Sequence, residues 1–128
     1  MRWIVFILLL MLGLLGCGSG ESGGGSFGVE HLVEGTGMQP TPRDTVEVHY
    51  HGTLEDGTVF DSSVERGQMA KFPLTRVIRC WTQGIPQMKV GGKAILTCPP
   101  EMAYGEKGPG SIPANATLTF EVELFGVY

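Results

Sequence analysis

The chain has 128 residues, with 9 basic against 13 acidic side chains and a formal net charge of −4. The acidic balance and the lack of a Lys/Arg cluster argue against a nucleic-acid partner. The length suits one domain, and the lack of any repeat period excludes solenoids and coiled coils.

Residues 1–16 hold a single charged side chain, Arg2, ahead of an apolar run from Trp3 to Leu15. That run is short of the roughly 20 residues a helix needs to cross a bilayer and has the form of a secretory signal. It ends in Leu14-Leu15-Gly16-Cys17, followed by Gly18-Ser19-Gly20, and resembles the lipobox of bacterial lipoproteins. The resemblance implies cleavage before Cys17, a diacylglycerol on its sulfur and acylation of the new amino group. Several acyl chains at ~0.8 kcal/mol per buried CH₂ then hold the protein on a membrane. Leu15 is bulkier than the usual residue at its place; an uncleaved anchor or an ordinary secretory signal are the alternatives. Gly18 after the Cys, with no Asp there, implies an outer-membrane lipoprotein facing the periplasm if the source is Gram-negative.

Eight of the chain's twenty glycines fall in residues 13–28, whereas all eight prolines lie at or beyond Pro40. Gly and Ser offer no apolar area to offset backbone entropy, so residues 17–28 read as the lipidated Cys and a flexible tether. Gly18-Ser19-Gly20-Glu21-Ser22-Gly23 satisfies a dinucleotide-binding pattern, and Gly20-Glu21-Ser22-Gly23-Gly24 a hydrolase pattern. Both require a strand before and a helix after. Here an acyl anchor precedes and more glycine follows, so low complexity accounts for both.

Residues 29–128 read as a β-rich domain. Val46, Val48 and Tyr50 alternate with Glu47, His49 and His51, the period of a half-buried strand. Asp56-Gly57 between Leu54 and Phe60 signals a hairpin. Phe72 and Leu74 bracket Pro73 in a segment suited to a sheet edge. Arg79–Ile85 is the helix candidate, with Trp81 and Ile85 stacked at i, i+4 and Pro86 as its stop. Ala94, Leu96 and Cys98 share one strand face, ended by Pro99-Pro100. Leu118, Phe120, Val122 and Leu124 form a last strand with Thr119, Glu121 and Glu123 toward water. A twisted antiparallel sheet on one short helix is an α+β architecture.

Three stretches then carry a resemblance. They are Val48-His49-Tyr50-His51-Gly52 through Gly57-Thr58-Val59-Phe60-Asp61-Ser62-Ser63; Val77-Ile78-Arg79-Cys80-Trp81-Thr82-Gln83-Gly84 with Met88 and Gly91-Gly92; and Ala103-Tyr104-Gly105 with Ile112-Pro113 and Asn115 to Leu124. In this order, over about residues 32–128, they resemble the FKBP-type peptidyl-prolyl isomerases. The resemblance implies a five- or six-stranded antiparallel half-barrel around one short helix. It also implies a pocket lined by Tyr50, Phe60, Val77, Ile78, Trp81, Ile112 and Phe120, with Trp81 as its floor. The Ile78 N–H and the Tyr104 hydroxyl are then expected to bond the ligand's carbonyl groups, with Asp61 at the wall. Phe60, Asp61, Ile78 and Tyr104 are the catalytic candidates.

An X-Pro bond isomerises over a barrier of ~18–20 kcal/mol, which is lost amide resonance. No bond is made or broken, so the reaction calls for no nucleophile, metal or cofactor. It calls for a dry apolar cup that penalises the more polar planar amide. The implied partners are proline-containing polypeptides of exported proteins and the family's macrolide inhibitors. A non-catalytic peptide-binding or chaperone module of the same fold is the other reading. Only the tether and about ten residues precede the first family-like segment, too little for the long helical domain through which some members dimerise; a monomer is expected.

Several features depart from the pattern or compete with it. Cys80 stands where the family usually has Gly, and Met69-Ala70 where many members carry an aromatic, which thins one wall. The Gly105–Ser111 loop is Gly-rich and leaves substrate preference open. His49 and His51 could hold zinc at i, i+2, but no third ligand is visible, and with Glu47 they read as a solvated face. Ser62-Ser63 shows no base partner and reads as a turn. Asn115-Ala116-Thr117 matches a glycosylation acceptor that the lipobox context makes irrelevant. Once lipid takes Cys17, Cys80 and Cys98 remain as an even pair in an oxidising compartment. Cys98 lies on the core face of its strand and Cys80 opens the helix, so a disulfide is expected, with two buried thiols as the alternative.

Overall fold

A computed structural model describes residues 26–128 of the chain. The expected signal segment, Cys17 and residues 18–25 of the expected tether lie outside the described residues. In chain order the elements are β1 (Gly28–Val33), β2 (Thr45–Thr53), β3 (Val59–Ser62), α1 (Ser63–Arg66), β4 (Ala70–Pro73), α2 (Arg79–Gly84), β5 (Lys93–Cys98) and β6 (Leu118–Val127). One six-stranded sheet runs β1-β5-β6-β2-β3, with β4 also on β2. All pairings are antiparallel. β4 takes the first half of β2, Thr45 to Val48, and β3 takes the second, His51 to Thr53. That division leaves a break between them on the same edge, and the site opens there.

The alternation seen in the sequence becomes the core. Val46, Val48 and Tyr50 of β2, Ala94, Leu96 and Cys98 of β5, and Leu118, Phe120, Val122 and Leu124 of β6 are buried on one face of the sheet. α2 lies across that face and buries Cys80, Trp81 and Gly84. Burying each large aliphatic side chain there contributes about 1.5–3 kcal/mol. The helix continues into a 3₁₀ turn over Ile85–Gln87, with Pro86 at its start, where a missing N–H costs least. Thr82 Oγ1 donates to the Leu74 carbonyl at 2.6 Å, tying α2 to the end of β4. A Cys80–Cys98 disulfide joins the start of α2 to the end of β5, with Cα atoms 5.5 Å apart.

The structure changes three expectations. The tether reading extends too far: Phe27 packs against the core and Gly28 pairs with Thr97 in β1, because Phe27 supplies the apolar area that the glycines lack. Ser62-Ser63 is the start of α1, a second helical turn, and no mere bend. Ser62 caps it by accepting from the Glu65 N–H at 3.1 Å, and Gly67 closes it at φ 73°. The third concerns the histidines. His49 and His51 are half-buried, and their Nδ1 atoms lie 2.9 Å from Ser63 Oγ and Ser62 Oγ, so the serines do have histidine partners.

Candidate active site

A cavity of about 420 Å³ opens at the break between β3 and β4. That is the size of a small-molecule or peptide side-chain site. Its lining is Tyr50 from β2, Phe60 and Asp61 from β3, Phe72 from β4, Arg76, Val77 and Ile78 before α2, Trp81 in α2, Tyr104, and Phe120 from β6. Trp81, only 4% exposed, is its floor, and three aromatic rings hold it. Tyr50, Phe72 and Phe120 meet it edge to face with centroids 5.3, 5.2 and 5.2 Å away. Such contacts contribute about 0.5–1.5 kcal/mol each beyond area burial. Phe60 stands against Phe120 in the same way at 5.5 Å. Gly52 permits this crowding: a Cβ there would lie 2.6 Å from Phe60 Cζ and 3.0 Å from Phe120 Cε1.

The polar groups divide into bonded and unbonded. Tyr50 Oη donates to Asp61 Oδ2 at 2.7 Å, and Arg66 donates to Asp61 Oδ1 and, at 3.0 Å, to Tyr50 Oη. Burial pushes the Asp61 carboxyl up, but the bonds from Tyr50 and Arg66 outweigh it and hold it below the usual carboxylate range. Asp61 is therefore an anion at neutral pH, with its charge compensated at the wall. Burial raises the Tyr104 hydroxyl, and the Asp61 charge adds to the rise, so it stays a donor. Neither that hydroxyl nor the Ile78 N–H makes a hydrogen bond among the described residues. Ile78 has extended backbone (φ −60°, ψ 151°) just ahead of α2, and its carbonyl accepts from Trp81 and Thr82. Its N–H is left for a ligand. The Trp81 Nε1–H is buried without a partner among the described residues, an arrangement that costs about 1–3 kcal/mol.

Tyr50, Phe60, Asp61, Val77, Ile78, Trp81, Tyr104 and Phe120, all anticipated, are thus brought together. Ile112 is not among the lining residues. It is 9% exposed and packs in the core, covered by Gly108, where a Cβ would lie 2.7 Å from Ile112 Cγ2. Phe72, Arg66 and Arg76 were missed. The Ser-His pairs do not form a hydrolytic site: Ser63 is fully buried, and its Oγ accepts the Tyr50 N–H at 2.7 Å. Among the described residues no group of three or more His, Cys, Asp or Glu side chains could hold a metal ion.

Comparison with known proteins agrees with this geometry. The profile of the FKBP-type peptidyl-prolyl cis-trans isomerases matches residues 36–125. The FKBP-type peptidyl-prolyl cis-trans isomerase FkpA of Aeromonas hydrophila is 55% identical over 102 residues, covering 78% of this chain and 38% of that protein. Peptidyl-prolyl cis-trans isomerase FKBP1A of Xenopus laevis is 54% identical over 100 residues, covering 75% of this chain and 93% of its own length. The crystal structure of FkpA from Escherichia coli superposes with a TM-score of 0.75 at 47% identity, over 77% of this chain and 46% of the other. The chain spans less than half the length of these bacterial relatives. A half-barrel with an aromatic-floored cavity at the β3/β4 break, and sequence identity above half across it, lead to one assignment: the chain belongs to the FKBP-type peptidyl-prolyl cis-trans isomerase family.

Proposed function

We propose that this protein accelerates cis–trans isomerisation of X-Pro bonds in exported polypeptides. The observation that carries the reading is the Trp81-floored apolar cavity with two unbonded donors, the Ile78 N–H and the Tyr104 hydroxyl, at its wall. The proline ring seats on Trp81 between Phe60, Phe72 and Phe120. Ile78 and Tyr104 hold the flanking carbonyl groups, so the chain on one side of the bond is fixed while the other turns. Phe60 and Phe120 exclude water from the amide, which disfavours its planar, more polar form relative to the twisted one. Asp61, held by Tyr50 and Arg66, positions the Tyr50 ring against Trp81. No proton is transferred and no covalent intermediate forms. The family's macrolides are proposed as competitors for this cavity.

The setting proposed is anchoring through lipid on Cys17, supported by the Leu14–Cys17 pattern alone, and a monomer, supported by the Gly/Ser stretch after Cys17, which leaves no room for a long dimerising helix. The decisive measurement is exchange of a proline tetrapeptide by the purified full chain in detergent, with and without EDTA. Acceleration above the spontaneous rate, unchanged by EDTA, is expected; the spontaneous rate on several X-Pro sequences, with binding retained, leaves a peptide-binding module. Mass spectrometry of the mature N-terminus checks the anchor: a free Cys17 thiol or another start site overturns it.

A further inference from the structure

Two ionisable side chains with opposite charges line the cavity, Asp61 and Arg76. Asp61 is compensated, since Arg66 pairs with it. Arg76 is different. Its backbone is held by a bond from its N–H to the Pro73 carbonyl at 3.0 Å, in the turn between β4 and α2. Its side chain is exposed, and no carboxylate pairs with it among the described residues. Arg43, Lys71, Arg79, Lys89 and Lys107 likewise have no acidic partner among the described residues, but Arg76 is the cation that lines the cavity. Arg76 sits two residues before Ile78, which also lines the cavity and whose N–H is unbonded among the described residues. A chain of net charge −4 thus presents an uncompensated cation at the mouth of this apolar cavity.

We infer that Arg76 is a specificity residue, which selects X-Pro segments carrying a carboxylate side chain directly beside the proline. This rests on the isomerase reading above. A proline seated on Trp81 brings its neighbours to the rim, where Arg76 attracts an acidic side chain and repels a basic one. The rim is solvated, so the effect has the size of an exposed ion pair, about 1.5- to 5-fold in kcat/KM. Added salt diminishes it, because the Debye length falls from ~10 Å at 0.1 M to ~3 Å at 1 M.

The test uses the purified full chain and three peptide pairs differing only in Glu, Gln or Lys beside proline, placed before it in one set and after it in the other. In at least one set Glu is expected to exceed Gln by about 1.5- to 5-fold, with Lys below Gln. The Glu:Gln ratio narrows in 0.5 M salt. In Arg76→Gln the ratio falls to about one, and in Arg76→Glu it inverts. Arg79→Gln, which removes an exposed charge outside the cavity lining, keeps the ratio. Equal rates for Glu and Gln in both sets, a ratio that survives Arg76→Gln, or an equal loss in Arg79→Gln overturns the assignment of Arg76. Absence of acceleration on all peptides overturns the isomerase reading instead, so the two failures are distinct.

Discussion

Reduction of the Cys80–Cys98 bond is expected to lower stability by about 3 kcal/mol. The two residues are 18 positions apart, and in the chain-entropy model a loop of that size restricts the unfolded chain by this amount. Both sulfur atoms stay in place on reduction, in sites with no solvent exposure, so little packing is lost and the chain-entropy term dominates. For a domain of about 100 residues that corresponds to a fall in Tm of about 12–24 °C. The effect should extend to the cavity, because Cys80 adjoins Trp81 and the bond fixes the first turn of α2 to β5. The assay is calorimetry of the unreduced chain against the chain kept reduced by excess reductant and left unalkylated, since an alkyl group would overpack these buried sites, with peptide exchange measured on both well below either Tm. Alkylation of denatured, unreduced protein followed by mass analysis counts the thiols. Modified Cys80 and Cys98 in that count, or equal Tm values for the bonded and reduced forms, would refute the reasoning.

Tyr104→Phe should lower kcat/KM by about 2- to 12-fold, the size of one neutral hydrogen bond, while the urea midpoint stays within about 0.5 kcal/mol, since the hydroxyl has no protein partner to lose; unchanged kcat/KM removes Tyr104 from the proposed site. Gly52→Ala must displace the Phe60 and Phe120 rings, so it should cost about 1–3 kcal/mol and reduce activity together with stability, read by urea melts and peptide exchange. Asp61 has a folded-state pKa below its unfolded value, so its stabilising contribution is present above about pH 4 and is lost as pH falls through the folded value. The stability difference between wild type and Asp61→Asn should therefore be constant from about pH 5 to 8 and shrink in more acidic solution; a difference that grows on acidification contradicts the Tyr50–Asp61–Arg66 arrangement.

The strands that the sequence revealed are those with one wet and one dry face. β2, β5 and β6 alternate strictly, and their buried positions match the observed core. β1 escaped because most of it is exposed: Glu30, His31, Leu32 and Val33 show no alternation, and the strand is held by backbone pairing with β5. α1 is one turn long, too short for periodicity, although Ser62 and Glu65 have capping-box spacing and Gly67 supplies the stop. Missing α1 meant missing Arg66, whose reach to Asp61 and Tyr50 depends on that turn. Phe72 was read only as an edge residue; its place beside Trp81 follows from the pairing of β4 with β2. Ile112 was placed at the pocket by the family resemblance and not by periodicity, and here it is buried outside the cavity lining. Alternation separates inside from outside but not core from pocket, and both share one face here: Val48 and Tyr50 in β2, Val122 and Phe120 in β6.

The pairing of β2 with β6 has a kinetic consequence. Its register joins Val46 to Val127 and Thr53 to Thr119, so the centre of the sheet is closed by segments far apart in the chain. Loop-closure entropy must be overcome before those contacts form, which places folding in the slower, millisecond-to-second regime of non-local topologies. Phe120 belongs at once to that late strand, to the core and to the cavity. A chain that lacks β6 therefore lacks the Phe120 wall of the cavity. The cavity is completed in the same cooperative step that completes the sheet, and it is lost in the same step when β6 detaches.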